Sequence, residues 1–199
     1  MVTMLFEKQI PLAVEILRAG GVVAFRTETV YGLGATVANA DKIFEAKGRP
    51  SEKALVWQFA SVKDMVRYFN EKTPAPEGHP LYERGKITER EIGLLKKYRV
   101  GFTLVLGNGV AVRIPHDRVA KRILRGVGEP LVVTSANMSG MPAAVTHEEV
   151  EAELAERIEA IVMSGRAKYG VASTVCKING EKLEILRQGF AKVREMWNN

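Results

Sequence analysis

Residues 20–34 read GGVVAFRTETVYGLG, and this stretch decides the fold class. Upstream, Pro11 is followed by Leu12, Ala13, Ile16 and Leu17 at helical spacing, and Gly20-Gly21 are the kind of residues that end a helix. The apolar run Val22 to Phe25 then reads as a buried strand. Behind it comes a loop, Thr27-Glu28-Thr29-Val30-Tyr31-Gly32-Leu33-Gly34, rich in hydroxyls and in glycines that let a backbone approach closely. A helix, a buried strand and a polar loop in that order fit an open α/β sheet, whose ligands gather in loops at strand ends.

The same alternation continues outward. Asn39 is placed to cap a helix through Ala46 with Gly48 past its end, Leu55 to Phe59 reads as a strand, and Ser61-x-x-Asp64 opens another helix. Residues 71–80, with Pro74, Pro76, Gly78 and Pro80, form the clearest loop. Thr88-x-x-Glu91 is a capping box for a helix through Lys97, and Phe102 to Leu106 and Val110 to Ile114 flank Gly107-Asn108-Gly109 as a hairpin. A helix over Val119 to Leu124, a strand over Leu131 to Thr134, a helix opened by Thr146-x-x-Glu149 and a strand over Ile158 to Met163 follow. Val175 to Ile178 and Leu183 to Leu186 bracket the turn signal Asn179-Gly180. The fold is therefore expected to be α/β with a sheet mixing parallel and antiparallel strands. The 71–80 loop is too short to divide domains, so residues 1–199 are expected to form a single domain.

Composition agrees with a folded protein. Hydrophobic residues make up 46% and charged residues 26%, which disfavours disordered, collagenous and membrane classes. No uninterrupted apolar run approaches the roughly 18 residues of a membrane span, and Cys176, the only cysteine, permits neither an intrachain disulfide nor a multi-cysteine zinc site. No membrane association is expected, and the cytoplasm is the default location. Lys and Arg number 29 against 23 acidic residues, and the resulting +6 favours anionic partners such as nucleotides or RNA. Sign alternation, as in Glu148 to Arg157, marks many of these charges as solvated helix faces. His79, His116 and His147 show no spacing for a metal or catalytic site, so no metal site is expected.

Besides the loop at 27–34, three polar segments interrupt the scaffold. They are Lys47-Gly48-Arg49-Pro50 with Lys53 nearby, Ser135-Ala136-Asn137-Met138-Ser139-Gly140 after a strand, and Ser173-Thr174-Val175 followed by Arg187-Gln188-Gly189. Singly each has a plain structural reading: Lys47-Gly48-Arg49 closes a helix, and Ser135 to Gly140 makes a polar turn. Taken in order, over residues 10–190, they resemble the YrdC family, with its T-E-T-V-Y-G-L-G loop, K-x-R pair, S-A-N-x-S-G loop, S-T-V strand and terminal R-x-G.

That resemblance implies a single YrdC-like domain with a curved sheet, flanking helices and a positively charged central cavity. It also implies a nucleotidyltransferase that makes threonylcarbamoyl-AMP and pyrophosphate from L-threonine, bicarbonate and ATP. The product would serve N6-threonylcarbamoyladenosine modification of tRNA, with a downstream tRNA threonylcarbamoyl transferase as the next partner. The residue types fit this chemistry, which needs two anions aligned and a departing pyrophosphate steadied. Resemblance and charge assign the catalytic pair Lys47 and Arg49 to the ATP phosphates, with Asn137 and Arg187 as further ATP contacts and Lys53 as a lesser one. By the same carry-over Thr27, Tyr31, Arg113, Ser135 and Ser173 surround threonine and its carbamate, Arg113 being the partner for the carboxylate. Magnesium is expected only as the ion ATP carries.

Several positions depart from the family pattern. Arg26 stands where proline usually opens the loop, Ala54-Leu55 replaces proline-leucine, and Gln58 sits where histidine is frequent. Tyr98-Arg99-Val100-Gly101-Phe102 replaces a W-P-G-P stretch, and an acidic residue frequent after S-T-V is missing near Cys176. Two alternatives therefore stand beside the synthase: a paralogue acting on another carbamoyl adenylate, and a non-catalytic RNA-binding module. Cys176 is not expected to be a nucleophile, because no Cys-His signature accompanies it. Were Val175 to face the core, strand alternation would turn Cys176 to the opposite face.

Overall fold

The computed structural model describes residues 1–48, 54–71 and 87–193. In chain order these form β1 (Thr3–Phe6), α1 (Ile10–Arg18), β2 (Val23–Arg26), β3 (Tyr31–Thr36), α2 (Ala40–Lys47), β4 (Val56–Gln58), α3 (Val62–Glu71), α4 (Glu89–Lys97) and β5 (Phe102–Val105). They continue with β6 (Ala111–Arg113), α5 (Arg118–Val127), β7 (Leu131–Ser135), α6 (His147–Leu154), β8 (Ala160–Met163), β9 (Thr174–Asn179) and β10 (Lys182–Arg187). The strands lie in one sheet in the order β1-β8-β2-β3-β7-β4-β6-β5-β9-β10. β1 and β2 run parallel to β8, β4 to β6 and β5 to β9. The other neighbours are antiparallel, so the expected mixed α/β sheet is present.

Local sequence explains most of the elements. Thr88 accepts from the Glu91 amide at 3.2 Å while Glu91 accepts from the Thr88 amide at 2.7 Å, a complete capping box. Ser61 and Thr146 accept from the amides three residues on, and Asp117 caps α5. Asn39 does stand at the start of α2, but its side chain donates to Thr36 Oγ1 at 2.7 Å and caps nothing.

Three further readings need correction. β1 was not expected; it is a four-residue edge strand with a single core side chain, Leu5, too short to show a pattern. Tyr31 to Gly34, read as loop, is the first part of β3. Tyr31, Leu33 and Ala35 enter the core on one side, while a Cβ on Gly32 or Gly34 would come within 2.8 Å of Val133 Cγ1 or 2.7 Å of Phe25 Cε1. These glycines serve close packing and not a turn. The last hairpin turns one residue later than expected: Asn179 pairs with Lys182, and Gly180, at φ +59°, takes the first turn position, the one a II′ turn reserves for glycine. The loop reading at 72–80 lies outside the described residues.

Helices cover the two faces of the sheet unequally. On one face Leu33, Trp57, Leu104, Val112, Val132, Ile161 and Cys176 pack with Ile43 of α2, Met65 of α3, Leu94 of α4 and Leu154 of α6. This layer runs the width of the sheet. On the other face Leu5, Val23, Phe25, Leu131, Val133 and Val162 pack under Leu17 of α1 and Ile123 of α5. That second layer stops near β7, and the strands beyond it present polar side chains.

Candidate functional site

The uncovered part of the second face is a cavity of about 300 Å³. Its floor comes from β3, β7, β4, β6 and β5 through Gly32, Val133, Ser135, Val56, Gln58, Arg113 and Thr103. Strand register puts these side chains on one face. Gly32 lies opposite Ser135, Val133 opposite Val56, and Gln58 opposite both Leu131 and Arg113. Thr27, Ala54, Ala172, Ser173 and Arg187 form the walls.

Six of the residues singled out from sequence therefore meet here: Thr27, Tyr31, Arg113, Ser135, Ser173 and Arg187. Thr27 Oγ1 donates to Val30 O at 2.7 Å and closes the turn into β3. The Tyr31 hydroxyl donates to Gly165 O at 2.8 Å, and burial pushes its pKa up, so it stays protonated. Ser173 Oγ lies 2.8 Å from Thr103 Oγ1, and Arg187 donates to Ser173 O at 2.8 Å.

Arg187 reaches the cavity through a β-bulge. Leu183 and Ile185 of β10 pack toward the covered face, and a regular strand would send Arg187 the same way. The register shifts between Ile185, opposite Cys176, and Arg187, opposite Val175. The extra residue, Leu186, turns Arg187 to the other side. Past it, the backbone crosses that of Ala172 and Ser173 so closely that a Cβ on Gly189 would lie 2.3 Å from Ala172 O. Only glycine permits that crossing.

Lys47 and Asn137 lie beside the cavity, behind the loop after β7. Lys47 is 1% exposed, and its ammonium donates to Ser135 O at 2.5 Å and to Asn137 O. Asn137 Nδ2 donates to Met138 O at 2.7 Å and Met141 O at 2.8 Å. Both side chains brace the loop in this arrangement. Arg49 and Lys53 lie outside the described residues. Arg26 is held in an ion-pair cluster, with its Nε 3.1 Å from Asp117 Oδ2 and a further bond to Ser164 O.

Sequence reasoning passed over two residues of this site. Glu28 is buried, and its Oε1 accepts from Arg113 Nη2 at 2.7 Å and the Gly101 amide at 3.2 Å, while Oε2 accepts from the His116 amide at 3.0 Å. Burial pushes this carboxyl up, yet the Arg113 charge and the hydrogen bonds outweigh it and leave the pKa below its ordinary value. The signal was a lone acid among hydroxyls in a loop, with its partner 85 positions away. Gln58, noted only as a departure, is 3% exposed, and its Oε1 has no hydrogen-bond partner. Arg113 Nε is likewise buried and unpartnered. Gln58 and Arg113 both line the cavity on adjacent strands, and each keeps one buried polar atom without a partner, a costly arrangement.

Cys176 is fully buried on the covered face, and Val175 is the residue turned toward the cavity side, the reverse of the order considered above. Burial raises its thiol pKa to about 11, which suits a core residue and not a nucleophile.

The Sua5/YciO/YrdC family model, described as "Telomere recombination", matches residues 15–189. The chain is 36% identical over 201 residues to "Threonylcarbamoyl-AMP synthase" of Bacillus subtilis, covering 92% of this chain and 54% of that protein. It thus spans about half the length of that relative. It is 32% identical to the protein of the same name from Vibrio parahaemolyticus, covering 87% of this chain and 95% of that one. Among solved structures, "Crystal structure of P. abyssi Sua5 complexed with L-threonine" superposes with a TM-score of 0.78 at 30% identity, covering 95% of this chain and 57% of that one.

Proposed function

The chain belongs to the Sua5/YciO/YrdC family, and from that premise we propose that it is a threonylcarbamoyl-AMP synthase, converting L-threonine, bicarbonate and ATP into threonylcarbamoyl-AMP and pyrophosphate. The observation that carries this reading is the unsatisfied pair in the cavity. Arg113 Nε offers a donor and Gln58 Oε1 an acceptor on neighbouring strands. A free amino acid supplies the complement, a carboxylate for the arginine and an ammonium or hydroxyl hydrogen for the glutamine. Val56 and Val133 on the same floor are apolar surface for threonine's methyl group.

In this reading Thr27, Tyr31, Ser135 and Ser173 enclose threonine while bicarbonate takes up a proton and loses water, and the carbon dioxide so formed joins the neutral amine as a carbamate with release of that proton. A carbamate oxygen then attacks the α-phosphorus of ATP and pyrophosphate leaves, so no enzyme nucleophile is needed. Lys47, Arg49, Asn137 and Arg187 bind the nucleotide, with Lys47 exchanging loop carbonyls for phosphate oxygens. The cluster of Arg113, Arg187 and the neighbouring lysine gives the cavity a positive character suited to two anions. Among the described residues no group of three or more His, Cys, Asp or Glu is placed to hold a metal. Magnesium enters this reading only as the ion that ATP carries, and no step is assigned to it. No helix among the described residues is long and apolar enough to cross a membrane. We further propose residues 1–199 as a single functional domain in the cytoplasm, with RNA as a further contact and a tRNA threonylcarbamoyl transferase as the recipient of its product.

The test is pyrophosphate release from ATP and bicarbonate with and without L-threonine. Threonine-dependent release supports the proposal. Release dependent on carbamoyl phosphate, or salt-sensitive RNA binding with no turnover, would replace it with another activity.

A further inference from the structure

Glu28 joins the two sides of the cavity. Its own loop, between β2 and β3, belongs to the side covered by α1 and α5. Its carboxylate reaches the uncovered side, taking the Gly101 amide just before β5 and the His116 amide just after β6. Its carbonyl accepts from the Tyr169 amide at 3.0 Å, on the segment that leads to Ser173. The fourth donor is Arg113 Nη2, which also donates to Thr29 Oγ1 at 2.7 Å. One corner of the guanidinium is therefore pinned between two acceptors of a single loop, while Nε is left without a partner.

A guanidinium is planar, so holding Nη2 at two points sets the orientation of the whole group. The side chains of Arg113 and Glu28 are 7% and 6% exposed, so water does not compete for the contact. We propose that Glu28 is a positioning residue for substrate binding: acting through Arg113, it fixes the direction in which the unpartnered Nε–H meets the amino-acid carboxylate. The inference rests on the reading of the cavity as a threonine site. Without Glu28, Arg113 must be ordered when the substrate arrives, and that cost appears as weaker binding. The nucleotide, held by other residues, is not affected.

The test compares Glu28→Gln in the wild-type and Arg113→Met backgrounds, measuring KM for threonine and for ATP at a temperature below each variant's Tm. In the wild-type background, threonine KM rises about tenfold or more while ATP KM stays within about twofold. In the Arg113→Met background Glu28→Gln adds nothing to threonine KM, because the group it acts through is gone. Glu28→Asp, which keeps the charge, gives a smaller rise, and it carries the same comparison should Glu28→Gln not fold. Equal effects on both substrates, additive effects in the two backgrounds, or no change in threonine KM overturn the proposal. Failure of wild-type protein to use or bind threonine overturns the substrate reading as well, and so is distinguishable.

Discussion

The two halves of the second sheet face obey one alternation rule and reach opposite ends. Under α1 and α5 the outward positions include Leu5, Phe25, Leu131 and Val162; beyond β7 they include Gln58, Arg113 and Thr103 beside Val56. Leu131, Gln58 and Arg113 are register partners across three adjacent strands. The surface thus changes from a packed leucine to a buried ion over about 10 Å, two strand spacings. Backbone geometry is the same on both sides. What differs is a helical cover, and where it is missing the side chains face a cavity instead of a core. Substitutions in the covered half should therefore move stability and spare chemistry, and those in the open half should do the reverse.

Glu28 is where this division should break, since it serves both halves. Glu28→Gln leaves the Arg113 charge buried without its partner and should cost about 3–5 kcal/mol at neutral pH. Because the folded pKa lies below the ordinary carboxylate value, this stabilisation is complete above the unfolded value and is lost as pH falls through the folded one. Glu28 therefore contributes no slope between about pH 6 and 8, and it contributes to an acid limb that Glu28→Gln should flatten. Urea midpoints measured down to about pH 3 check this; parallel acid limbs in the two proteins would assign that loss to other carboxylates.

Leu17→Ala sharpens the comparison from the covered side. It removes a fully buried side chain of α1 and should cost about 3 kcal/mol, with threonine KM unchanged per folded molecule. A shift in KM would show that α1 helps shape the cavity. In the open half, Gln58→Leu should raise stability by about 1 kcal/mol, by deleting an unpartnered buried acceptor, while threonine binding is lost. Loss of stability together with intact binding would mean that Gln58 is a core residue. The smallest change in activity is expected for Cys176→Ser, within about twofold of wild type. Abolished turnover in a folded Cys176→Ser protein would overturn direct attack by the carbamate.

The sequence made the covered layers easier to read than the open one. Capping at Thr88 and Thr146 and the apolar runs at Val22 and Leu131 are local signals, and the structure keeps them. β3 was hidden because Gly32 and Gly34, the residues that mark it as loop, are the ones that admit Val133 and Phe25. Six proposed site residues meet in the cavity, and their motifs pointed to them. The Glu28–Arg113 pair was illegible because one partner lies in the loop after β2 and the other on β6, and no local pattern records a contact 85 residues apart. The aim of Arg187 was equally hidden, since a bulge at Leu186 depends on how β10 pairs with β9.

The position of β8 between β1 and β2 has a consequence for how the protein is made. Thr3 pairs with Ala160, and Val23 pairs with Ala160 from the other side. At the usual pace of translation, about 5–20 residues per second, the first strand waits roughly 8–30 s for β8, its one neighbour among the described residues. During that interval β1, with Leu5, and one edge of β2 lack the strand they pair with. A nascent chain stalled short of β8 therefore presents a bare edge on β2 and an undocked β1, the kind of surface that chaperones bind. The exposure ends when four residues, Ala160 to Met163, slide between two strands made long before.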